Sequence, residues 1–390
     1  MSFADAIYLD NAATSFPKPE CVYSAVDRYQ RENGRPVGRG ATDAAQDVQQ
    51  AVDRCRFRAA QLLGATAKEQ IAFTFNCTDS LNLVLHGLLR PGEHVISTVG
   101  EHNSVLRPLR QLERLRGVEV SLVGIYDLGS VDSEDVRAAI KPNTRLIVLQ
   151  HASNVTGIIQ PVADVGRIAR EHGLLFLVDA AQTAGHLPVD VAQMQADFVA
   201  CSGHKGLLGP LGTGLLYVAP GRESLVEPLR QGGTGSRSEQ ETQPEWMPDR
   251  FESGNHNAPG LIGLDAALGF LEVRTIAAIR AHELQLSQLL AQQLAELPGF
   301  KVYSSVDRTR QTGVTSIASD VLPSDELSTI LSQHFRIDTR SGLHCAPGIH
   351  RRLGTLERQG TVRISFGWSS TIEQVEAVVA ALRQIGASVS

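Results

Sequence analysis

Six short apolar runs alternate with segments of helical periodicity between residues 70 and 220. Strands that are apolar without interruption are buried on both faces, and helices between them make the connections parallel. The sequence therefore predicts a large α/β domain with helices on both faces of a mostly parallel sheet. The predicted strands cover residues 71–75, 95–98, 118–123, 146–150, 174–178 and 198–201, and residues 162–171 form one of the helices.

The pattern changes after residue 230. Residues 231–260 are rich in Gly, Pro and polar residues, which indicates a functional loop or a linker. One long helical pattern over residues 261–297 follows, then a strand over residues 301–304 and a last helix over residues 372–385, which together predict a smaller α+β domain. The predicted division is an N-terminal segment (1–20) that packs with the small domain, a large domain (21–255) and a small C-terminal domain (256–390).

Composition excludes several classes of protein. The 390 residues are 42% hydrophobic and 20% charged, which allows a sizeable buried core. The 36 basic and 42 acidic residues give a net charge of −6, so neither nucleic acid nor an anionic membrane is an expected partner. The N-terminus lacks the pattern of a signal peptide, and no apolar run approaches the ~18 residues of a membrane span.

The cysteines and histidines predict neither a disulfide framework nor a metal site. Cys21, Cys55, Cys77, Cys201 and Cys345 are odd in number, widely scattered and without C-x-x-C spacing. The 12 histidines contain no H-E-x-x-H pattern. A reduced, soluble, cytoplasmic protein is the expectation.

Two polar features stand where predicted strands end, and ligands of such sheets bind at that edge. Asp179 directly follows the apolar run 174–178, and a carboxylate in that desolvated position needs a cationic partner. Thr78 follows the run 71–75 and is predicted to cap a helix whose free N–H groups favour an anion such as phosphate. Taken alone, each feature is explained at least as well by an ordinary cap or turn.

The scarcity of lysine, with five Lys against thirty-one Arg, allows a Schiff-base lysine to be chosen by elimination. Lys205 follows a buried strand and is flanked by glycines that permit close approach to a ligand. Burial there would lower the pKa of its amine and favour imine chemistry. The other four lysines are expected at the solvated surface: Lys18, Lys68, Lys141 and Lys301.

Cys345 and Arg363 are the remaining candidates for functional residues. Cys345 follows His344 in a loop of Gly and Pro residues, where a thiolate could form and move and His344 could relay its proton. The other four cysteines have ready structural explanations. Arg363 alternates with apolar residues over 361–366, and an inward Arg would suit a bidentate contact with a carboxylate. From spacing alone, a solvated strand face is the simpler explanation of Arg363.

Together these segments resemble the class V aminotransferase family of pyridoxal-phosphate enzymes and, within it, the cysteine desulfurases of the Suf-like, second group. The resemblance implies fold type I, with a seven-stranded sheet in the large domain, and a homodimer with active sites near the subunit interface. It runs over almost the whole chain, through YLDNAAT (8–14), GRG (38–40), EHN (101–103), HASNVTG (151–157), DAAQ (179–182), SGHK (202–205), RFESG (250–254) and the Cys345 loop.

The resemblance implies that the large domain binds pyridoxal phosphate. Lys205 then forms an imine with the cofactor and carries protons, while Asp179 pairs with the pyridine nitrogen. His102 stacks on the ring and serves in catalysis. The other implied contacts are Thr78, Asp79, Ser202 and His204 at the phosphate, Asn154 and Gln182 at the phenolic oxygen, and Asn255 at the phosphate of the neighbouring subunit.

For the reaction, the resemblance implies that Arg363 binds the substrate carboxylate, with Asn11 and Arg39 also at the substrate. Cys345 attacks the sulfur of L-cysteine held on the cofactor, which leaves alanine and a persulfide for a sulfur-acceptor protein. The small domain carries both Cys345 and Arg363. Two departures stand out: one histidine precedes Cys345 where Suf-type enzymes commonly have two, and Asn255 stands where many relatives have threonine.

Three alternatives remain open from the sequence. A cystine or cysteine C–S lyase and a selenocysteine lyase would use the same Lys205 and Arg363 without needing Cys345 as a sulfur carrier. A non-catalytic sulfur-relay scaffold would keep the fold, but it gives no reason to retain Lys205, Asp179 and Gln182 together.

Overall fold

The computed structural model describes residues 6–38, 40–237 and 239–389. Within these ranges no helix combines the length and the apolar character that a membrane crossing requires. Among the described residues, the chain forms a large mixed sheet, a small antiparallel sheet, a two-stranded parallel sheet and eleven α-helices.

The large sheet confirms the predicted α/β fold. It has seven strands in the order β2-β8-β7-β6-β5-β3-β4, and every strand except β8 runs in the same direction. Numbered in chain order after the short β1 (Ile7–Tyr8), the strands are β2 (Ile71–Thr74), β3 (His94–Thr98), β4 (Glu119–Val123), β5 (Thr144–Gln150), β6 (Leu175–Asp179), β7 (Phe198–Ser202) and β8 (Gly214–Val218).

Helices cover both faces of this sheet, as uninterrupted apolar strands require. On β6, Phe176 and Val178 belong to one apolar cluster, whereas Leu175 and Leu177 belong to another. Because successive side chains of a strand point to opposite faces, the two clusters lie on the two sides of the sheet. The helices of this part of the chain are α1 (Glu20–Arg28), α2 (Asp43–Leu62), α3 (Cys77–Leu88), α4 (Asn103–Arg116), α5 (Ser133–Ala138), α6 (Val162–Glu171) and α7 (Ala258–Arg274).

A four-stranded antiparallel sheet, in the order β12-β13-β10-β9, forms the second core with three helices. The N-terminal segment joins this core, because β1 pairs with the short strand β11 and Leu9 is buried in the cluster. The elements are α8 (Ile276–Ala295), β9 (Phe300–Tyr303), β10 (Val314–Ser319), α9 (Ser324–Phe335), β11 (Ile337–Asp338), β12 (Arg340–Gly342), α10 (Pro347–Leu353), β13 (Thr361–Ser365) and α11 (Ile372–Val389).

The single helix predicted over residues 261–297 is wrong. The chain forms α7 and α8, separated by Thr275, which has a φ of 65° and accepts the N–H of Ala278 with its side chain as the cap of α8. A helix cannot continue through a residue with left-handed backbone. Leu261 and Leu268 of α7 are buried in the core of the large sheet, although the predicted division assigns them to the small domain. The domain limits themselves stay a prediction.

Candidate active site

A cavity of about 360 Å³ opens at the carboxyl edge of the large sheet, beside the first turns of α3 and α4. Parallel strands end together at this edge, so side chains distant in sequence meet there. Eight of the residues predicted from the sequence line the cavity: Thr78, His102, Asn154, Asp179, Gln182, Ser202, His204 and Lys205.

Asp179, the last residue of β6, is 6% exposed. Its Oδ1 accepts the N–H of Ala181 at 2.9 Å and the thiol of Cys77 at 3.3 Å. Its Oδ2 has no hydrogen bond to any residue in the described part of the chain. A buried carboxylate with one open oxygen favours a cationic partner in the cavity, and a protonated ring nitrogen meets that need.

Lys205 lies in the turn after β7, where it lines the cavity with Asp179. Burial lowers the pKa of its ammonium, whereas the negative charge of Asp179 acts in the opposite direction. The fraction of neutral amine therefore exceeds that of an exposed lysine, which is the form that attacks a carbonyl carbon.

Lys18 is not the solvated surface residue that the sequence predicted. Its Nζ donates to the Ser15 hydroxyl at 2.7 Å and to the His204 carbonyl at 3.0 Å, and burial lowers its pKa to about 8. The backbone N–H of Ser15 also donates to the His204 carbonyl, at 3.0 Å. Lys18 thus belongs to the contact between the N-terminal segment and the turn that carries Lys205.

The first turn of α3 faces the cavity, but its cap differs from the prediction. Asn76, not Thr78, is the N-cap, and its side chain accepts the backbone N–H of Asp79 at 2.9 Å. The Asp79 carboxylate pairs with Arg230 at 2.7 and 3.0 Å and does not line the cavity. Thr78 occupies the second helical position, where a backbone N–H has no partner within the helix. The Thr78 amide is therefore available to an anion bound in the cavity.

His102 is the N-cap of α4 and lines one wall of the cavity. Its Nδ1 accepts the backbone N–H of Ser104 at 3.1 Å, so the neutral ring carries its proton on Nε2. Burial lowers the pKa of His102 to about 4. A neutral imidazole at this position can lie against a planar aromatic ligand without adding a charge.

Two amides and one imidazole present polar atoms to the cavity. The Nδ2 of Asn154 donates to the His344 carbonyl at 2.6 Å, and Gln182 Nε2 donates to the Ala12 carbonyl at 3.0 Å. Asn154 Oδ1 and His204 Nδ1 are buried without a hydrogen-bond partner among residues 6–38, 40–237 and 239–389. Buried polar atoms without partners are costly, so both indicate a ligand. The donor set, the open oxygen of Asp179 and Lys205 together fit pyridoxal phosphate.

Arg363 is 2% exposed, so the solvated strand face that spacing favoured is wrong. Its Nη2 pairs with Asp10 at 2.5 Å, and its Nη1 donates to the Asn154 carbonyl at 3.0 Å. Its Nε is buried and has no partner in the described residues. The sequence did not reveal the contact between Arg363 and Asp10, because 353 positions separate these two residues.

Of the two other residues predicted at the substrate, Asn11 forms two hydrogen bonds within the protein, and its predicted contact with the substrate stays a prediction. Its Nδ2 donates to the Ser365 carbonyl at 3.1 Å and its Oδ1 accepts the N–H of Phe16 at 3.2 Å. Arg39 lies outside the described residues, so its predicted role stays a prediction.

Cys345 lies in a short turn between β12 and α10, beside the cavity. Both His344 (φ 47°) and Cys345 (φ 58°) have left-handed backbone, which L-residues rarely adopt in succession. Helix α4 holds this turn, because the backbone N–H of Asn103, its first residue, donates to the Cys345 carbonyl at 2.8 Å. Cys345 is partly exposed and lines a depression next to the cavity.

His344 is buried, and its Nε2 lies 3.1 Å from the carbonyl and the hydroxyl of Thr361. Burial lowers the pKa of His344 well below its ordinary value. The ring therefore contacts Thr361 in its neutral form, and its predicted part in relaying the proton of Cys345 stays a prediction.

Asn255 lies outside the cavity, in a separate cleft with Arg230 and Glu252. The sequence missed other residues that do line the cavity, namely Cys77, Ser104 and Gln150. The sequence offered a structural explanation for Cys77. Its position a few residues after the buried strand β2 was the signal that could have identified it.

Comparison with known proteins agrees with this geometry. The pattern of the family Aminotransferase class-V matches residues 7–378. A probable cysteine desulfurase of Methanothermobacter thermautotrophicus is 35% identical over 384 residues, which cover 98% of this chain and 95% of that protein. The cysteine desulfurase of Haloferax volcanii is 33% identical, with coverage of 96% and 88%.

Solved structures of cysteine desulfurases are also similar to this chain. The apo structure of the cysteine desulfurase from Thermococcus onnurineus superposes with a TM-score of 0.92 at 34% identity and covers 99% of this chain and 96% of that one. The cysteine desulfurase CsdA from Escherichia coli superposes with a TM-score of 0.89 at 30% identity, with the same coverage of 99% and 96%.

Proposed function

Because the chain belongs to the class V aminotransferase family and, within it, to the cysteine desulfurases, we propose that it is a pyridoxal-phosphate-dependent enzyme that converts L-cysteine to L-alanine. The sulfur remains on Cys345 as a persulfide. The observation that carries this proposal is that Lys205 and Asp179 line one cavity beside a partly exposed cysteine.

Pyridoxal phosphate supplies an electron sink when it is bound. Asp179 would hold its ring nitrogen, and its open Oδ2 supports this role. Lys205 would hold the aldehyde carbon and then move protons at the substrate. The amide of Thr78, with Ser202 and His204, would bind the phosphate, His102 would lie on the ring, and Asn154 and Gln182 would contact the phenolic oxygen.

Arg363 would bind the substrate carboxylate through Nε, the donor left without a partner in the described chain. Asp10 and the Asn154 carbonyl hold the rest of the guanidinium, so Arg363 is oriented before substrate arrives. Preorganisation of this kind lowers the cost of ordering the site on binding.

Cys345 receives the sulfur. Its thiolate forms a bond to the substrate sulfur while the Cβ–S bond of L-cysteine breaks, and the electron pair of that bond stays with Cβ, which takes a proton to give L-alanine. The nucleophile must be sulfur on an accessible segment, and Cys345 is partly exposed beside the cavity.

The proposal includes a cytoplasmic homodimer that passes its persulfide to a sulfur-acceptor protein. The need for a reduced Cys345 thiol supports a reducing compartment. Asn255 would contact the phosphate of the neighbouring subunit, and its position in a cleft outside its own cavity supports that role.

An assay with L-cysteine, L-cystine and L-selenocysteine tests the proposal, with alanine and pyruvate measured separately. We expect alanine and an equivalent amount of sulfide from L-cysteine in the presence of dithiothreitol, and neither product from Lys205→Ala. Pyruvate as the main product would replace the desulfurase with a β-eliminating C–S lyase. Alanine from L-selenocysteine alone would make the enzyme a selenocysteine lyase.

A further inference from the structure

A second, larger depression of about 990 Å³ adjoins the cofactor cavity. Thr78, His102 and Ser104 line both, so the two are continuous. Cys345 lines the larger one, which we call the arginine groove. A molecule that takes sulfur from Cys345 can therefore approach through this groove.

Arginines give the groove its charge. Arg107, Arg110 and Arg114 recur at helical spacing on one exposed face of α4, and Arg351 of α10 completes the set. Arg110 pairs with Glu113 at 2.7 Å. The side chains of Arg107, Arg114 and Arg351 form no hydrogen bond or ion pair with residues in the described ranges, and the described lining contains no Asp or Glu. The groove is therefore positive on a chain whose net charge is −6.

The amino-acid substrate does not account for this charge. L-Cysteine is a zwitterion without net charge, and Arg363 is the proposed partner of its carboxylate. The groove is also larger than the cofactor cavity, and its wall includes the apolar side chains of Val99, Leu106 and Leu122. Size, charge and apolar contact together fit a polypeptide segment with acidic residues.

We infer that the arginine groove docks a sulfur-acceptor polypeptide whose reactive cysteine is flanked by acidic residues. This inference rests on the proposed function. The acceptor thiolate attacks the outer sulfur of the Cys345 persulfide, a new S–S bond forms to the acceptor, and the bond between the outer sulfur and Cys345 Sγ breaks. Cys345 leaves with the electron pair as a thiolate. The acceptor becomes the persulfide, and no external oxidant or reductant is consumed.

Single-stranded nucleic acid is the other polyanion to consider. Proteins that bind it combine basic grooves with aromatic side chains on which bases stack. No Phe, Tyr or Trp lines the groove within the described chain. Charge together with an apolar wall therefore favours a polypeptide.

Radiolabelled sulfur tests the inference in the holoenzyme. The enzyme is loaded with L-[35S]cysteine, and transfer is measured to dithiothreitol, to a peptide with one cysteine between glutamates, and to the same peptide with glutamines. We expect the acidic peptide to accept sulfur about tenfold more efficiently than the glutamine peptide, and high salt to reduce this preference. Equal transfer to both peptides at low salt would overturn the inference.

Charge reversal localises the effect. In Arg107→Glu/Arg114→Glu we expect the rate with the acidic peptide, divided by the same variant's rate with dithiothreitol, to fall by about tenfold. Arg383→Glu, an exposed arginine on α11 outside the groove, should keep the parental ratio. A double variant that keeps the acidic preference would place docking elsewhere. Failure of the parent to release alanine with dithiothreitol would instead overturn the proposed function, and the inference with it.

Two further outcomes identify other occupants. If a short single-stranded RNA blocks transfer to dithiothreitol in the parent but not in the double variant, and acidic peptides have no advantage, the groove binds nucleic acid. If the double variant changes the sedimentation coefficient of the enzyme, a second copy covers the groove. Either result would overturn the inference.

Discussion

The thiol of Cys77 donates to Oδ1 of Asp179 at 3.3 Å, on the floor of the cofactor cavity. Burial raises the pKa of Cys77 well above its ordinary value, so the group is a protonated donor. The same Oδ1 accepts the N–H of Ala181. Two donors on one oxygen fix the carboxylate plane and direct Oδ2 to whatever cation the cavity holds. Cys77 is thus a positioning residue for Asp179.

Cys77→Ala should weaken cofactor binding moderately. One hydrogen bond contributes roughly 0.5–1.5 kcal/mol, which corresponds to about two- to tenfold in the dissociation constant of pyridoxal phosphate. Cys77→Ser should recover most of the loss because its hydroxyl also donates. Titration of the apoenzyme with cofactor measures both, with Cys21→Ala at the exposed surface as the control. An unchanged constant in Cys77→Ala would mean that Asp179 does not need this contact.

Asp179→Ala should lose far more activity than Gln182→Ala. Removal of a buried charge partner costs roughly 3–5 kcal/mol, which is a hundredfold or more, whereas the Gln182 amide contributes one neutral hydrogen bond. Steady-state kinetics with L-cysteine and cofactor titration give the comparison. Small and similar losses in both variants would show that Asp179 does not face the ring nitrogen.

Borohydride reduction should fix the cofactor on Lys205, and Lys205→Ala should abolish the attachment. Lys18 is the most informative control, because burial also lowers its pKa, to about 8. Its Nζ donates to the carbonyl of His204, the residue before Lys205. Lys18→Met should retain the attachment on Lys205. Mass spectrometry that finds the reduced cofactor on Lys18 in the parent would overturn the assignment of Lys205.

The sequence predicted those elements whose signal is local. The bounds of α6 agree with the prediction, and β2 to β7 fall within two residues of the predicted strands, since apolar runs identify strands of a covered sheet. The burial predicted for residues 118–123 is wrong, because β4 is the edge strand and only Val123 of it is buried. β8 was missed, although Leu215, Leu216, Tyr217 and Val218 form an apolar run after a glycine-rich turn. The break at Thr275 was missed because its left-handed backbone is not evident from residue type.

The residues of the site likewise fall into those with a local sequence signal and those without one. Lys205 and Asp179 were recognisable because each follows a buried strand. Asp10 and Lys18 were not, because their partners, Arg363 and the carbonyl of His204, are brought close only by folding. Long-range pairs of this kind leave no periodicity in the sequence.

The buried carboxyl of Glu101 is expected to make the free energy of unfolding depend on pH. It is buried, accepts the N–H of Gln150 and the Thr98 hydroxyl, and burial raises its pKa to about 8 from an ordinary value of 4.5. Between these values the folded protein binds more protons than the unfolded chain, so stability should fall as the pH rises from 4.5 to about 8.

Glu101→Gln removes this titration. The Tm of the variant minus that of the parent should therefore become more positive by several degrees over the same interval, as measured by calorimetry. Glu376→Gln, an exposed glutamate on α11, should leave the parental profile unchanged. A constant difference for Glu101→Gln across the interval would show that Glu101 is ionised throughout.

Cys345→Ser separates desulfuration from the lyase alternatives. Serine keeps the size and polarity of the side chain, but its hydroxyl is not ionised at neutral pH and cannot accept sulfur. The variant should bind pyridoxal phosphate and L-cysteine normally, because Lys205 and Arg363 are unchanged, yet carry no cyanide-labile sulfur and release little alanine. Cys21→Ser, at an exposed thiol on α1, should match the parent. Turnover of L-cysteine or L-cystine by Cys345→Ser at the parental rate would make Cys345 structural and the enzyme a C–S lyase, since β-elimination breaks the same bond without an enzyme thiol.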